Sequence, residues 1–395
     1  MDAAFVAAWL NLILRWAHMI VGIAWVGASF YFIWLDNHLH RPLDPADEAK
    51  GIGGEVWAVH GGGFYTEKKL TLAPAALQPE LHWFKWEAYT TLITGMFLMG
   101  LVYYWGAEIA LIDPGVMQLE KWQAIGLGLA WLVGGWLFYD WLCRSAFGQD
   151  DAVLGGLLFG FCALSAWAMC QMFSGRGAFI HFGSMLGVIM ALNVYFVIIP
   201  GQRELVKAKE EGRLPEAKYG LMGRQRSVHN TYFTLPVLFT MISNHFAGIY
   251  GHPWNWVLLL LISLSGALIR VWFVQRHKGD ANPAVLWSGL VVLGFAALLS
   301  QPRPDNLGSG PAAFEDVQPI VQARCLSCHA AKPTQEGIAA PPKGVILETP
   351  SQIRAQAAAI NQQTFATKVM PPGNMTQITD AERRTIARWF KAGAQ

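Results

Sequence analysis

An all-α protein, an eight-helix transmembrane bundle followed by a small helical C-terminal domain, is predicted from three observations. Hydrophobic residues make up 53% of the 395-residue chain and charged residues only 14%. The apolar residues fall in long blocks, each able to cross the roughly 30 Å of a bilayer's hydrocarbon core. The final stretch of about 80 residues abandons this pattern for the mixed composition of a small soluble domain. The chain therefore has a lipid bilayer as its first partner. A formal net charge of +2 gives no support to nucleic-acid binding.

The predicted spans are 8–35, 86–106, 122–142, 152–172, 180–199, 228–250, 254–274 and 283–299. The first is read as a span, not a cleaved leader: nothing basic precedes it, Arg15 lies inside it and no small-residue cleavage site follows. With the N-terminus outside, the inner connections carry fifteen Lys and Arg, from Arg41 to Lys278, against Lys121 and Arg176 on the outer side. Positive residues are retained on the cytoplasmic side. The expected arrangement is a multi-pass protein of the bacterial inner membrane, with a long cytoplasmic loop at 36–85 and both the N-terminus and the C-terminal domain periplasmic. Residues 1–300 form the membrane domain, the Pro- and Gly-rich stretch 301–313 a linker, and 314–395 the external domain.

In that external domain Cys325, Cys328 and His329 form the string CLSCH. Two thiols three positions apart can add to the two vinyl groups of a haem, and the adjacent imidazole reaches the iron from the same helical turn, so CxxCH is a c-type haem attachment site. A zinc half-site is disfavoured because no second CxxC or His pair follows. One covalent haem c implies single-electron chemistry outside the membrane, in agreement with the loop charges. The domain then reads as cytochrome c-like: a helix at 314–325, a terminal helix with Thr379 as N-cap and Glu382 completing a capping box, and between them KVMPPGNMTQIT. Met370 is the expected sixth ligand, with Met375 its competitor. Cys143, Cys162 and Cys170 read as small buried hydrophobes, and no structural disulfide is expected.

Ionisable groups inside hydrocarbon are costly and mark sites. Arg15, His18, Gly22, Trp25 and Ser29 share one face of the first helix, and Gly22 leaves room for a flat macrocycle. His18, paired with His245 or His181 on the outer side, is a candidate axial set for a b haem. The alternative is a core histidine satisfied by a carbonyl. His229 and His82 fall at the inner side, where they serve an inner site or cap helices. In the 36–85 loop, GGEVWAVHGGGFYTEKKL places Gly61, Gly62 and Gly63 where backbone amides can approach a flat anion. Trp57, Phe64 and Tyr65 offer ring faces, and Lys68 and Lys69 positive charge. The plainer reading is a flexible loop with interfacial aromatics. KAKEEGRLPEAKYG reads as a solvated amphipathic helix.

Taken together, WAHMIVGIAWVGASFYFIWLDNHL, GGEVWAVHGGGFYTEKK, LHWFKWEAYTTLITG, CLSCH and MPPGNMT resemble the bacterial membrane-bound, cytochrome c-fused urate oxidases (urate hydroxylases) over essentially the full length. The resemblance implies oxidation of urate to 5-hydroxyisourate in purine breakdown, with electrons leaving through the tail haem to a terminal cytochrome c oxidase or a soluble cytochrome. In that chemistry the glycine loop and Lys68 would bind the urate anion, and His60 would act as base, an imidazole being suited to proton exchange near neutrality. The opening WxH…WxGxxFY pattern is also similar to small membrane proteins that bind b haem through the first-helix histidine, which favours His18 as a ligand. Met375 departs from the family pattern by adding a second thioether. A different class of function, a membrane-anchored electron carrier from quinol to an oxidase with no organic substrate, explains the haem motif but not the Gly- and aromatic-rich loop.

Overall fold

The computed structural model describes residues 3–71, 74, 76–301, 307–335 and 338–395. It opens with α1 (Ala3–Asn37), the short α2 (Pro45–Ala49) and a hairpin of β1 (Ile52–His60) and β2 (Gly63–Leu70). Then α3 (Trp86–Leu98) runs directly into a π-helical turn at Met99–Tyr104, followed by α4 (Ala107–Ala110), α5 (Lys121–Arg144) and α6 (Asp151–Met172). Next, α7 (Gly175–Asn193) passes through a second π-helical segment, Val194–Ile198, into α8 (Ile199–Glu210). After these come α9 (Ala217–Ser243), α10 (Ala247–Tyr250), α11 (Asn255–His277) and α12 (Pro283–Leu299).

Local chemistry sets the helix starts. Asp150 accepts from the Ala152 and Val153 amides at 2.8 and 3.0 Å to begin α6. Ser174 caps α7 by accepting from Gly177 N at 3.0 Å, and Asn282 precedes Pro283 at the first position of α12.

Among the described residues, five helical stretches are long and apolar enough to cross a membrane: Phe5–Asn37, Lys121–Arg144, Asp151–Met172, Gly175–Glu210 and Asn255–His277. The other three predicted segments are helical as well. However, α3 gives way to a π-turn, α9 carries a polar first half, and α12 has only 17 residues. The stretch Gly175–Glu210 is also longer than predicted, because the helix continues through Pro200 into the basic segment read as a separate solvated helix.

Strand structure in 36–85 corrects the all-α expectation. Gly61 and Gly62 have φ of +57° and +83°, the paired left-handed residues of a tight two-residue hairpin turn. The strands pair antiparallel, with His60 opposite Gly63, Trp57 opposite Thr66 and Glu55 opposite Lys68. The glycine run read as an anion loop is thus the turn of a β-hairpin.

The core centres on α7, where Phe179, Phe182, Met185, Leu186 and Ile189 are buried against α5, α6 and α9. Small residues let the backbones approach: Gly183 lies directly against Thr240 of α9, and Ser265 of α11 donates to the Gly289 carbonyl of α12 at 2.8 Å. On α1, Trp9, Ile13, Trp16, Ile20 and Ile23 are exposed, which is stable against lipid and costly against water.

The tail holds α13 (Phe314–Arg324), α14 (Leu326–His329), α15 (Pro350–Ala355), α16 (Ala357–Asn361) and α17 (Asp380–Lys391). Val317, Val321, Ile353, Ile386 and Trp389 fill its own core. The expected capping box is present: Thr379 Oγ1 accepts from Glu382 N at 3.2 Å and Glu382 Oε2 from Thr379 N at 2.6 Å. Of the expected linker, residues 302–306 lie outside the described residues.

The α7–α9 contact yields a prediction. A Cβ at Gly183 would overlap the Thr240 side chain, so Gly183→Val should destabilise the detergent-solubilised protein by about 1–3 kcal/mol, the usual range for overpacking. Thermal unfolding checks this, and an unchanged midpoint would contradict the packing.

Candidate functional site

At the hairpin end of the helices, α1, α3, the α7–α8 junction and α9 converge on a cavity of about 500 Å³. Each contributes one helical face. From α1 come Trp25, Ser29, Phe32 and Asp36; from the α7–α8 run Val194, Ile198, Gln202 and Leu205; from α9 Ser227, Asn230 and Thr234. The segment Leu81–His82–Trp83–Phe84 and Glu87 at the start of α3 close it off. The lining thus combines flat aromatic faces with amide, hydroxyl and carboxylate groups, which is the make-up of a site for a flat polar molecule. Glu87 Oε2 is buried and has no partner among the described residues.

Asn230 joins this cavity to a buried polar network. Its Oδ1 accepts from Asn193 Nδ2 at 3.0 Å and its Nδ2 donates to the Met190 carbonyl at 2.9 Å. Asn193 Nδ2 also reaches the Tyr139 hydroxyl at 3.2 Å, and that hydroxyl lies 2.8 Å from His229 Nδ1. Above the Tyr139 ring, 4.8 Å from its centroid, is the Arg226 guanidinium, which donates to Asp140 at 2.8 Å. Arg226 was counted with the exposed cytoplasmic cations, yet it is only 1% exposed. Buried polar groups persist in such an interior only where they are paired.

The first-helix stripe divides. Trp25 and Ser29 line the cavity, whereas His18 Nδ1 lies 2.9 Å from Thr94 Oγ1 and Arg15 is exposed and bonded to Asn11. His82, expected at an inner site, lines the cavity, and His229 enters the network beside it. Sequence reasoning missed Glu87, Gln202, Asn193, Asn230 and Tyr139. A signal for the α9 residues was present: Ser227, Asn230 and Thr234 recur at spacings of three and four, the same argument that singled out the first helix.

The hairpin residues stand elsewhere. His60, Gly61, Gly62, Tyr65 and Lys68 are exposed, Gly63 is half-buried, and none of them belongs to the cavity lining. Lys68 is bonded to Asp47 and lies 3.9 Å from Glu55, so its charge is already balanced. Trp57 donates to Glu55 at 3.1 Å. Lys69 ties the hairpin to the cavity rim, donating to Asp36 at 2.7 Å.

The three histidines read as b-haem ligands have separate surroundings. His245 is exposed in the turn after α9. His181 is fully buried, with Nδ1 2.9 Å from the Gly177 carbonyl, and its unpartnered Nε2 faces Gly128, where a Cβ would lie only 2.7 Å away. Phe173 and Tyr104 pack on the same ring. The absence of a side chain at Gly128 thus lets the His181 ring pack close against α5.

The tail residues fit their expected group better. His329 Nδ1 lies 2.9 Å from the Val345 carbonyl, and the His329 carbonyl accepts from Leu347 N at 2.9 Å. This clamp fixes the ring and leaves Nε2 for a metal, as axial histidines require. Cys325 and Cys328 are free thiols on the adjoining turn, and burial pushes the Cys325 thiol up to about 12. Met370 lies in a loop held by Arg383, which donates to the Met370 carbonyl at 2.8 Å and to Asn374 Oδ1 at 3.2 Å.

Residues 4–301 match the family described as Urate oxidase N-terminal. Comparison with curated proteins and with solved structures gives no match.

The hairpin's ion pairs carry a definite pH dependence. The hydrogen bond from Lys68, then that from Lys50, holds the Asp47 carboxyl below its ordinary 3.8. Its stabilisation is therefore complete above that pH and is lost as pH falls through the lowered value. The bond to Asp47 raises Lys68 above its ordinary 10.5, so that contribution is complete below 10.5 and is lost as pH rises beyond it. Proteolysis within 52–70 should stay slow between these limits and accelerate below pH 3.8, and Asp47→Asn should cleave faster at neutral pH. Equal cleavage of both proteins at neutral pH would show that the pair does not secure the hairpin.

Proposed function

We propose that this chain, which belongs to the urate oxidase N-terminal family, oxidises urate to 5-hydroxyisourate in the cavity at the hairpin end and delivers the electrons to a c haem in its tail. The observation that carries this reading is the family match over residues 4–301. The cavity supports it. Trp25 and Trp83 offer faces on which a purine can stack, and Asn230 and Gln202 offer amides that donate and accept along its edge. The substrate-binding role assigned to Trp57, Gly61, Gly62, Gly63 and Tyr65, and the catalytic role assigned to His60 and Lys68, pass in this proposal to the cavity residues.

The reaction balances without activated oxygen. The urate monoanion loses two electrons and one proton, giving an electrophilic purine; water adds at C5, and the product is neutral 5-hydroxyisourate. The proton needs an acceptor in the cavity. Glu87, whose buried Oε2 has no partner among the described residues, is the proposed base, and His82 and Asp36 are the other titratable groups on the lining. Asn230 is held through Asn193 and Tyr139, so the network positions the amide that reads the substrate. Cys325, Cys328 and His329, with Met370 or Met375, would hold the haem, which supplies a one-electron acceptor when bound. The electrons then pass to a terminal oxidase or a soluble cytochrome.

The same reading places the protein in the bacterial inner membrane. The loop charges put the hairpin end in the cytoplasm, and haem attachment puts the tail in the periplasm. Urate then enters from the cytoplasmic side.

Anaerobic addition of urate to oxidised membranes should reduce the c haem, read at its visible absorption bands. Reduction by quinol but not by urate would identify an electron carrier instead. Glu87→Gln should lower kcat on the order of a hundredfold, as loss of a general base does. Asn230→Leu should lower kcat/KM about tenfold through a lost buried hydrogen bond. A Glu87→Gln protein with intact haem bands and wild-type turnover would remove Glu87 as the base.

A further inference from the structure

Among the described residues, the tail meets the membrane portion at a short loop that contains a candidate haem ligand. Three contacts define the junction. The Thr367 carbonyl abuts Gly251, just after α10, where a Cβ would overlap it. Val369 packs against the large core that includes Leu111, Phe173 and Phe179. Gly373, at φ +56°, lies against the Ile112 carbonyl, and a Cβ there would overlap that oxygen. Two backbone approaches that admit no side chain, flanking an apolar plug, are a fitted joint and not a grazing contact.

Met370 sits between these contacts and Met375 immediately beyond them, so whichever thioether serves the iron is carried on the docked loop. Beneath it, buried Arg383 holds the Met370 carbonyl and Asn374, and it feels the charge of Asp113 across the junction. On the membrane side the loop meets a continuous run of hydrogen bonds. Leu111 O accepts from Ser174 N at 2.8 Å, and Ala110 O accepts from Ser174 Oγ at 2.9 Å. Ser174 Oγ in turn accepts from Gly177 N at 3.0 Å, and Gly177 O lies 2.9 Å from His181 Nδ1. Bonds and hydrogen bonds couple electron donor and acceptor better than gaps do, and that coupling falls steeply with distance.

We infer that the 367–374 face, docked on 107–112 and Gly251, is the port through which electrons reach the tail haem from the membrane portion. This rests on the reading that urate is oxidised in the membrane portion and the haem is the acceptor. The tail accepts electrons while docked and does not collect them as a free shuttle on a tether. Each turnover would send two single electrons through this joint, one at a time, to a haem held by Cys325, Cys328 and His329, and from there to the external acceptor.

Gly251→Val in the full-length, haem-loaded protein tests this, because Gly251 belongs to neither the cavity nor the haem attachment set. Expected are faster hydrogen exchange at 367–374, unchanged haem bands, unchanged reduction by dithionite, and stopped-flow reduction by urate slowed about tenfold through the lost positioning. Asp113→Lys, which sets a cation against Arg383 from the surface, should give the same pattern and stands in if Gly251→Val does not fold. Raised exchange at 367–374 with urate reduction at the wild-type rate, in either variant, overturns the port. A wild-type haem that urate never reduces overturns the functional reading instead.

Discussion

An unpaired polar group is costly in hydrocarbon, and that constraint shapes where this molecule places its chemistry. Polar side chains of the long helices turn inward, and two groups of them stand near the opposite ends. At the hairpin end are Tyr139, Asn193, Arg226, His229 and Asn230. At the tail end are Tyr103, Arg176 and Asn244, joined through the Asn244 amide, with His181 beside them. Between them α7 presents Phe182, Met185, Leu186, Val188 and Ile189 to the core, all buried and apolar.

This apolar middle has a consequence for an oxidation that releases protons and electrons together. A proton needs a chain of hydrogen-bonding groups, and none of the buried side chains of α7 between Phe182 and Ile189 supplies one. Electrons can cross packed side chains without such a chain. From Asn230 to the last residue of α9, Ser243, is roughly 20 Å along a helix. In the proposed reaction the proton would therefore stay with the carboxylate and imidazole groups of the cavity, while the electrons would leave towards the docked tail.

The local features were legible in the sequence because their causes are local. CxxCH, the Thr379–Glu382 capping box and the positions of the apolar helices each depend on residues within a few turns of one another. The first-helix stripe was legible as a face, but what that face meets was not: Trp25 and Ser29 line a cavity whose other walls come from Leu81 to Thr234, far along the chain. The hairpin was misread for a related reason. A glycine run satisfies both an anion-binding loop and a tight turn, and only the pairing of Ile52–His60 with Gly63–Leu70 decides between them. Lys68 was available for an anion in the sequence and is claimed in the fold by Asp47, twenty-one residues earlier.

What the amino-acid sequence determined by itself is therefore the set of parts: long apolar helices, a basic bias in one set of connections, and a CxxCH string on a small helical tail. These follow from periodicity, composition and short-range spacing, which a linear string records completely. Only the tertiary structure decided which parts meet: Glu87 and Asn230 around one cavity, Tyr139 with His229, and the Met370 loop against Ile112 and Gly251. Those meetings depend on helices packing through glycines and on polar groups finding partners far along the chain, and a sequence carries no measure of distance between residues that fold together.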